Sequence, residues 1–349
     1  MPAASIDVLI RGAGPVGCVA ALALHSSKQV RILAGEHPAP AFRPIVLSYA
    51  SRLILERVGA WDALAATPIE TIHVSQAGAF GRTRLDAADA GVPALGYVVE
   101  YADLVAGLRQ RVKDLLTAEE PPAQCVVHAE DMSPDAEVKR YAQDALVALV
   151  EVSPAARGIA FERFTRAGPL ALLPFAGRYA LVWSMPPEKA HALASAPATE
   201  FLHALNVAAG TRPGRATGVE ARAVQPLSLR VRQARIGERS VYIGNAAQTL
   251  HPVAGQGLNL GLRDAWDLAQ IMRDAPDPGD AAMLARFAAR RRLDAGATIR
   301  ATDLLAGIFL GANPLAAAAR GAALTMLDIL PAPRRFFARR MIFGPSALP

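Results

Sequence analysis

The spacing of apolar residues near the start of the chain predicts a strand, a helix and a second strand. Residues 6–10 form a short apolar run typical of a buried strand, and residues 15 to about 25 carry apolar side chains at helical spacing. Pro15 suits the first position of that helix, where its missing N–H is not needed. Residues 30–33 predict the next strand. This order is typical of the opening unit of a parallel sheet.

Further along, the pattern predicts another sheet and then a helical end. Helical spacing marks residues 101–116 and 198–209, and a Gly- and Pro-rich loop is expected at 211–218. After about Asp280 the chain is alanine-rich and helical in pattern, with breaks at Pro314 and Pro331. Further strands are predicted at residues 71–75, 83–85, 125–128, 145–152, 180–183, 224–231 and 240–243.

Composition places the chain among globular proteins of more than one domain. It has 349 residues, of which 52% are hydrophobic, and a net charge of +6. Positive charge suits nucleic acid, an anionic membrane or an anionic cofactor, but the aromatic content of 6% offers no base-stacking module, so no nucleic-acid partner is expected. The two cysteines, Cys18 and Cys125, lack metal-ligand spacing, and no metal is expected.

Two further features bear on location. The N-terminus lacks the pattern of a signal peptide. The longest uncharged run near the C-terminus, residues 304–319, is shorter than the roughly 20 residues that a spanning helix needs. We therefore expect a cytoplasmic protein.

Two glycine-rich segments indicate where a cofactor would lie. Gly12, Gly14 and Gly17 follow the first strand and open the first helix, so that unpaired backbone N–H groups suit a diphosphate. Residues 244–265 follow another strand and lead into a helix expected to begin near Gly257, whose N-terminus suits an anionic ring system. A cofactor with a diphosphate and an electron-accepting ring would join the two segments. We therefore predict that the chain binds FAD.

The order of these elements predicts an α/β fold with α+β character. We expect a Rossmann-like FAD-binding domain of the glutathione-reductase type, an inserted antiparallel β-sheet that forms a substrate domain, and a helical C-terminus. The predicted segments are 1–67, 98–132 and 234–280 for the discontinuous FAD-binding domain, 68–97 and 133–233 for the substrate domain, and 281–349 for the helical region.

The acid that holds the ribose in such folds is not at its usual place. The second strand ends near Ala34, and Glu36 follows two residues later. Either Glu36 reaches the ribose from a slightly longer turn, or this contact is missing.

Four segments carry a family resemblance: residues 12–17, residues 160–174, residues 244–265 and residues 291–305. The first segment is common to all dinucleotide folds, whereas the second and third together are specific. On these residues the chain resembles the class A flavoprotein aromatic hydroxylases, and within them the ubiquinone-biosynthesis hydroxylases of the 2-polyprenyl-6-methoxyphenol type.

The resemblance implies an FAD-dependent monooxygenase. NADPH or NADH would reduce the flavin, O₂ would be captured as a flavin C4a-hydroperoxide, and the hydroxyl group would pass to a polyprenylated phenol in ubiquinone biosynthesis. Because the flavin carries this chemistry, no catalytic triad is expected. His251, beneath the expected ring, is a candidate for proton transfer, although a lone histidine in a turn is more often structural.

The resemblance also assigns residues to the cofactor. Backbone amides at 255–257 would stabilise negative charge on the reduced ring, and Asn245 would hydrogen-bond the ribityl chain. Arg43 would lie near the flavin or the diphosphate, or would be a solvated surface residue. The predicted cofactor-binding residues are Gly12, Gly14, Pro15, Val16, Gly17, Glu36, Arg43, Asn245, Pro252, Gly255, Gln256, Gly257, Leu258 and Asn259.

The substrate cavity has its own candidates. Phe161, Phe164, Leu172 and Trp183 could line it, although aromatic residues on sheets more often belong to a core. Glu162 and Arg163, in the same segment, could form an ion pair.

Departures from the family pattern keep two alternatives open. Relatives carry an aspartate–glycine pair where this chain has Ala129-Glu130-Asp131, and the segment between the 101–116 helix and Tyr141 is shorter by several strands. One alternative is a flavin hydroxylase of a soluble aromatic compound. The other is a degenerate homologue that acts as a scaffold subunit without catalysis.

The C-terminal segment 333–343 combines arginines with phenylalanines. Such a pattern suits an anionic membrane surface, where a polyprenylated substrate would reside. We expect peripheral contact with the inner face of the membrane or with a biosynthetic complex. The alternative is a helix that packs on its own domain or on a partner. The residues concerned are Arg334, Arg335, Phe336, Phe337, Arg339, Arg340 and Phe343.

Overall fold

The computed structural model describes residues 5–35, 42–130, 136–249, 256–310 and 314–344. Its helices are α1 (Pro15–Leu24), α2 (Tyr49–Arg57), α3 (Ala87–Ala90), α4 (Tyr101–Arg111), α5 (Pro187–Ser195), α6 (Ala198–Ala209), α7 (Gln256–Met272), α8 (Ala281–Leu310), α9 (Pro314–Ile329) and α10 (Pro331–Phe343). Its strands are β1 (Ile6–Arg11), β2 (Val30–Leu33), β3 (Pro44–Ser48), β4 (Thr67–Ile69), β5 (Thr71–Gln76), β6 (Arg82–Asp86), β7 (Gly96–Glu100), β8 (Leu116–Thr117), β9 (Ala123–His128), β10 (Glu137–Ser153), β11 (Ile159–Phe164), β12 (Pro169–Phe175), β13 (Arg178–Met185), β14 (Arg215–Val231), β15 (Ile236–Gly237), β16 (Ser240–Tyr242) and β17 (Gln248–Thr249).

A six-stranded sheet is built around the apolar run at the N-terminus. Its order is β15-β16-β9-β1-β2-β8, and all neighbours are parallel except β15 and β16. The centre of β1 is fully buried, and its Val8 and Ile10 pack in one core with residues of α1 and α7. As predicted, α1 connects β1 to β2. The chain later returns to the other side of β1 with β9, so a crevice opens at the carboxyl end of β1.

A second, eight-stranded sheet has the order β17-β14-β10-β13-β12-β11-β5-β6. Its neighbours are antiparallel except for β11 and β5, which run parallel. Helices α5 and α6 cover one face, where Phe201 and Leu205 pack against Leu146, Val150 and Leu181 of the sheet. The two sheets confirm the α/β class. The glutathione-reductase type and the domain boundaries stay predictions.

A small antiparallel sheet, with the order β3-β7-β4, connects the two larger sheets. Ser48 is the last residue of β3 and the N-cap of α2. Its Oγ accepts a hydrogen bond from the backbone N–H of Ser51 at 3.2 Å. This cap fixes the direction in which the chain leaves β3 and enters α2.

The C-terminal helices confirm the predicted breaks, because α9 begins at Pro314 and α10 begins at Pro331. Helix α10 packs its inner face on the rest of the fold: Ile342 and Phe343 are buried, and Arg334 pairs with Asp89 at 2.9 Å. Its outer face carries Phe336, which is 73% exposed. The helix therefore docks on its own chain with one face and leaves the other face open. In the described part of the chain, no helix is both long and apolar enough to cross a bilayer.

Two predicted boundaries are wrong. The loop expected at 211–218 gives way to strand from Arg215, because β10 supplies an antiparallel partner as far as the pair Ser153 and Arg215. The helix expected at 101–116 ends at Arg111 and continues as a short 3₁₀ turn, Lys113–Leu115, before β8. Pairing with a neighbouring strand overrides local propensity in both places.

Candidate active site

The glycine turn after β1 is packed tightly against the end of β9. Gly12 has a φ of +103°, which favours glycine, and an added Cβ there would lie 2.7 Å from the backbone nitrogen of Glu130. At Gly17 an added Cβ would overlap the carbonyl oxygen of Gly12. These two glycines therefore let the strand, the turn and α1 approach closely.

Gly14 differs from its two neighbours. An added Cβ at Gly14 would meet no protein atom within 4 Å, although the residue directly precedes the buried first turn of α1. The turn therefore leaves open space at a helix N-terminus, where backbone N–H groups and the helix dipole favour a diphosphate. The residues present fit the diphosphate of FAD. Within the described residues, no group of His, Cys, Asp or Glu side chains could hold a metal ion.

Val16 brings the two predicted cofactor segments together. An added Cβ at Gly244 would lie 3.0 Å from the methyl carbons of Val16, and one at Gly261 would lie 2.7 Å from its Cγ2. The 3₁₀ turn Gly244–Ala246 and helix α7 thus pack directly on α1. The side chain of Val16 serves this packing. Asn245 lies exposed in the same turn.

A buried ionic cluster supports this turn from behind. We use this name for Arg235, Arg263, Asp264, Asp267, Arg291 and Asp294. The guanidinium of Arg291, 1% exposed, lies 2.6 Å from Asp264, 2.8 Å from Asp267 and 2.7 Å from Asp294. Asp264 also accepts the backbone N–H of Gly244 at 3.2 Å. The cluster therefore joins α7, α8 and the 3₁₀ turn.

The charges in this cluster compensate one another. Burial opposes ionisation of Asp264, but the positive charges of Arg291 and Arg235 outweigh it, and the pKa of Asp264 is lowered. Burial likewise opposes the charge on Arg291, yet the three surrounding carboxylates raise its pKa. The sequence analysis missed this cluster. Its signal was the i, i+3 spacing of Asp264 with Asp267 and of Arg291 with Asp294, which puts each pair on one helix face.

The start of α7 carries the remaining predicted cofactor residues. Gln256 and Asn259 are buried, and Leu258 packs partly buried against the core. The side chain of Asn259 is engaged by protein: its Oδ1 accepts the N–H of Ser48 at 2.8 Å, and its Nδ2 donates to Val46 O at 2.9 Å. Asn259 therefore holds α7 against β3. Glu36, His251, Pro252 and Gly255 lie outside the described residues.

Arg43 lies at the surface, directly before β3. Its guanidinium stacks over the ring of Tyr101 at 5.0 Å, and its backbone N–H donates to Glu100 at 2.8 Å. The prediction left open a solvated position or a cofactor contact for Arg43. Its side chain is exposed, as both alternatives allow, so the cofactor contact of Arg43 stays a prediction.

A cavity of about 610 Å³ lies between the eight-stranded sheet and the C-terminal helices. Strands β5, β6 and β11 supply its floor, α9 and α10 its roof, and Gln256 and Asn259 of α7 one end. We call it the substrate cavity. Its walls are mainly apolar, with Ile72, Val74, Leu85, Phe164, Leu324, Leu327, Phe337, Met341 and Ile342 among the lining residues.

Of the four predicted substrate residues, only Phe164 lines this cavity. Phe161, Leu172 and Trp183 are buried in the core under α5 and α6, on the opposite face of the sheet. The physical reason is the two-residue alternation of a strand: Phe161 and Phe164 are three positions apart and face opposite ways. For these three residues the substrate prediction is wrong, and the alternative of a core position is correct.

The same alternation separates Glu162 from Arg163. Glu162 lines the substrate cavity, whereas an added Cβ at Gly210, after α6, would lie 3.3 Å from the Arg163 guanidinium. The expected ion pair is therefore absent among the described residues. The part of Glu162 that remains accessible faces the cavity. Its carboxyl lies deep in the fold, and this burial raises its pKa to about 8. From the sequence, Glu162 was considered only as half of an ion pair and not as a residue of the cavity.

Comparison with known proteins agrees with this geometry. Residues 107–302 match the family model described as FAD binding domain. The chain belongs to this family. Its relatives include the ubiquinone hydroxylase UbiL of Rhodospirillum rubrum. The two sequences are 30% identical over an alignment of 380 positions, which covers 95% of this chain and 88% of that protein. The 3-demethoxyubiquinol 3-hydroxylase of Escherichia coli is 27% identical, covering 82% and 86% of the two chains.

Solved structures share the fold. The p-nitrophenol 4-monooxygenase PnpA of Pseudomonas putida gives a TM-score of 0.77 at 14% identity, covering 97% of both chains. HpxO of Klebsiella pneumoniae, solved with FAD and uric acid, gives 0.75 at 16% identity, covering 98% of this chain and 97% of that one. The predicted class A flavin hydroxylase family is confirmed, and this protein is an FAD-dependent aromatic monooxygenase.

Proposed function

We propose that this flavin monooxygenase hydroxylates a polyprenylated phenol in ubiquinone biosynthesis, with NADPH or NADH as reductant and O₂ as the oxygen source. The observation that carries the substrate class is the substrate cavity, which is about 610 Å³ in volume and bordered by the N-terminal end of α7. This volume suits a small molecule. Its apolar walls favour an aromatic ring that carries a hydrocarbon chain. The names of the R. rubrum and E. coli relatives support the same substrate class.

The proposed cofactor site follows the contacts described above. The diphosphate of FAD would lie over Gly14 at the N-terminus of α1, and Asn245 would face the ribityl chain. The ring would lie against the segment before α7, where Gln256 and Gly257 begin the helix. Bound there, the flavin supplies the redox and oxygen chemistry expected from the resemblance. The protein positions the ring, and the ionic cluster keeps the turn at Gly244 in place.

We further propose that the corner formed by the end of α9 and by α10 contacts an anionic membrane. Ile329 is 68% exposed and Phe336 73% exposed, with the exposed Arg335 and Arg339 beside Phe336 in the sequence. The inner faces of the same helices roof the substrate cavity. A substrate held in the bilayer by its prenyl chain would thus have a short route to the cavity. This would locate the protein at the inner face of the membrane.

The substrate is tested by comparing two phenols that differ only in the prenyl chain. Purified flavin-loaded protein would receive each phenol in detergent with NADPH or NADH, and product would be followed by mass spectrometry as the gain of one oxygen atom. We expect faster oxygen insertion into the prenylated phenol. Faster reaction of the phenol without the chain would favour a soluble aromatic substrate. Protein that fails to bind added FAD would favour the scaffold alternative.

A further inference from the structure

Two polar side chains on the cavity floor lie in one row across three strands. Glu162 of β11 is paired with Val74 of β5, and Val74 is paired with Thr83 of β6. All three residues line the substrate cavity. Since neighbouring strands are about 4.8 Å apart, the backbones of Glu162 and Thr83 are separated by roughly 10 Å. An aromatic ring with oxygen substituents on two sides fits between such groups, over Val74.

Neither polar group has a protein partner among the described residues. Thr83 is 3% exposed, and its hydroxyl makes no hydrogen bond. The carboxyl of Glu162 has no ion pair or hydrogen bond, and burial alone accounts for its altered pKa. Buried polar groups are normally satisfied, because an unpaired one costs free energy. Two unpaired groups in one row therefore point to polar atoms of a ligand.

The remaining charged groups around the cavity do not neutralise Glu162. Arg320 of α9 is the one other ionisable side chain that lines it within the described residues, and its Nε donates to Gln76 at 3.1 Å. Strands β3 and β5 to β7, helix α7 and helix α10 contribute only uncharged lining residues. Glu162 thus faces the cavity as a lone carboxyl group in apolar surroundings.

We propose that Glu162 holds the ring hydroxyl of the phenol substrate and accepts its proton during hydroxylation, while Thr83 holds a second oxygen substituent. This inference rests on the proposed function. In the step, the phenolic O–H bond breaks, the proton passes to a carboxylate oxygen of Glu162, and the electron pair stays on the phenol oxygen. The ring becomes more electron-rich and reacts more readily with the electrophilic oxygen that the flavin supplies. The proton returns to water when product leaves.

The burial of Glu162 makes it suitable for this task. Its pKa of about 8 lies closer to that of a phenol, about 10, than an ordinary carboxyl would. A general base acts best when its pKa is near the working pH. Since only the ionised form accepts a proton, kcat/KM is expected to rise with pH through about 8.

The catalytic test uses flavin-loaded wild type, Glu162→Gln, Glu162→Asp and Thr83→Val. We expect Glu162→Gln to lower kcat/KM by about 10²- to 10⁴-fold and to remove the rise near pH 8, while Glu162→Asp keeps a rise. Thr83→Val, which retains the base, should raise KM and leave the pH profile unchanged. A pH profile for Glu162→Gln that matches wild type would overturn the proposal. Flavin content and melting temperature show that each variant is folded.

A binding test separates this inference from the proposed function. The probe is 4-nitrophenol, whose phenolate absorbs visible light while its phenol does not. Difference spectra of the flavin-loaded protein between pH 6 and pH 9 would give the phenolate fraction of the bound probe. Because an ionised carboxylate disfavours a second negative charge beside it, we expect a lower phenolate fraction at pH 9 in wild type and Thr83→Val than in Glu162→Gln. Equal fractions in all three would contradict the role of Glu162, even if wild type hydroxylates phenols. Absence of any hydroxylated product from wild type would contradict the proposed function instead.

Discussion

Two carboxyl groups inside this fold have pKa values that are shifted in opposite directions. Asp264, in the ionic cluster behind the cofactor turn, is surrounded by Arg291 and Arg235, and its pKa is lowered. Glu162, on the floor of the substrate cavity, pairs with no positive side chain in the described part of the chain, and burial raises its pKa to about 8. Both lie deep in the fold, so burial alone does not decide the direction. The charge of the neighbouring side chains decides the direction of the pKa shift.

The difference separates a structural role from a chemical one. The carboxylate of Asp264 is fully paired, ties the turn at Gly244 to α7 and α8, and stays ionised. A lone carboxyl such as Glu162 lowers the stability of the fold when it ionises, but it can exchange a proton at a pH where enzymes work. The paired carboxylate of Asp264 thus holds the turn at Gly244 in place, whereas the unpaired carboxyl of Glu162 is suited to proton transfer.

The strongest way to break this comparison is to remove the counter-charge from the ionic cluster. Arg291→Leu would leave Asp264, Asp267 and Asp294 buried without their shared partner, and we expect a loss of about 3–5 kcal/mol in the free energy of unfolding. Denaturant titration measures it. Arg290→Leu is the matched control, because Arg290 is half exposed in its pair with Asp267 and should cost less than about 1 kcal/mol. Equal losses in the free energy of unfolding of the two variants would show that the buried cluster stabilises the fold no more than an exposed ion pair does.

The cofactor turn can be blocked without touching the cluster. Gly14→Val would place a side chain in the open space at the start of α1, so we expect nearly complete loss of bound FAD in a folded protein. Flavin absorbance per mole of purified protein measures it. Gly107→Val, at a second glycine where an added Cβ would meet no protein atom, should keep normal flavin content. Unchanged flavin in folded Gly14→Val would mean that the diphosphate lies elsewhere.

The pH dependence of stability sharpens the comparison. Because the pKa of Glu162 is raised from 4.5 to about 8, the folded protein binds more protons than the unfolded chain between these values. Stability should therefore fall as pH rises through that window, by at most about 5 kcal/mol. Asp264 has the opposite sign: its contribution is present above its ordinary pKa of 3.8 and is lost as pH falls through its lower folded pKa.

Denaturant titration of flavin-saturated protein from pH 4.5 to pH 9 measures this slope. Glu162→Gln should flatten it, because glutamine does not titrate. If wild type and the variant show the same slope, Glu162 does not carry the raised pKa.

The smallest effect is expected at the outer face of the C-terminal helices. Replacing Arg335 and Arg339 by glutamine should weaken sedimentation with anionic vesicles at low salt, at about 1 kcal/mol for each arginine. Binding of wild type should also weaken as salt rises. Arg157 and Arg286, exposed on other surfaces, provide the control pair. Wild type that stays in the supernatant at both salt concentrations would remove the membrane proposal.

Local sequence signals predicted the parallel part of the fold well. The β1, α1 and β2 unit lies at the expected residues, and Pro314 and Pro331 begin helices as expected. These features depend on neighbouring residues alone: a glycine turn, proline at a helix start, and apolar spacing. The strands β3 and β7 were not predicted, because they pair with each other across a long intervening stretch of the chain that includes α2 and α3.

The sequence by itself determined that the chain binds FAD and belongs to the flavin hydroxylases, since its glycine-rich motifs are local and chemically specific. Only the tertiary structure decided which face of β11 looks into the cavity, and therefore that Glu162 and Phe164 line it while Phe161 is core. It also decided that Asp264 has counter-charges, whereas Glu162 pairs with none among the described residues. The physical reason is that both the buried face of a strand and the pKa of a carboxyl depend on residues brought close by folding.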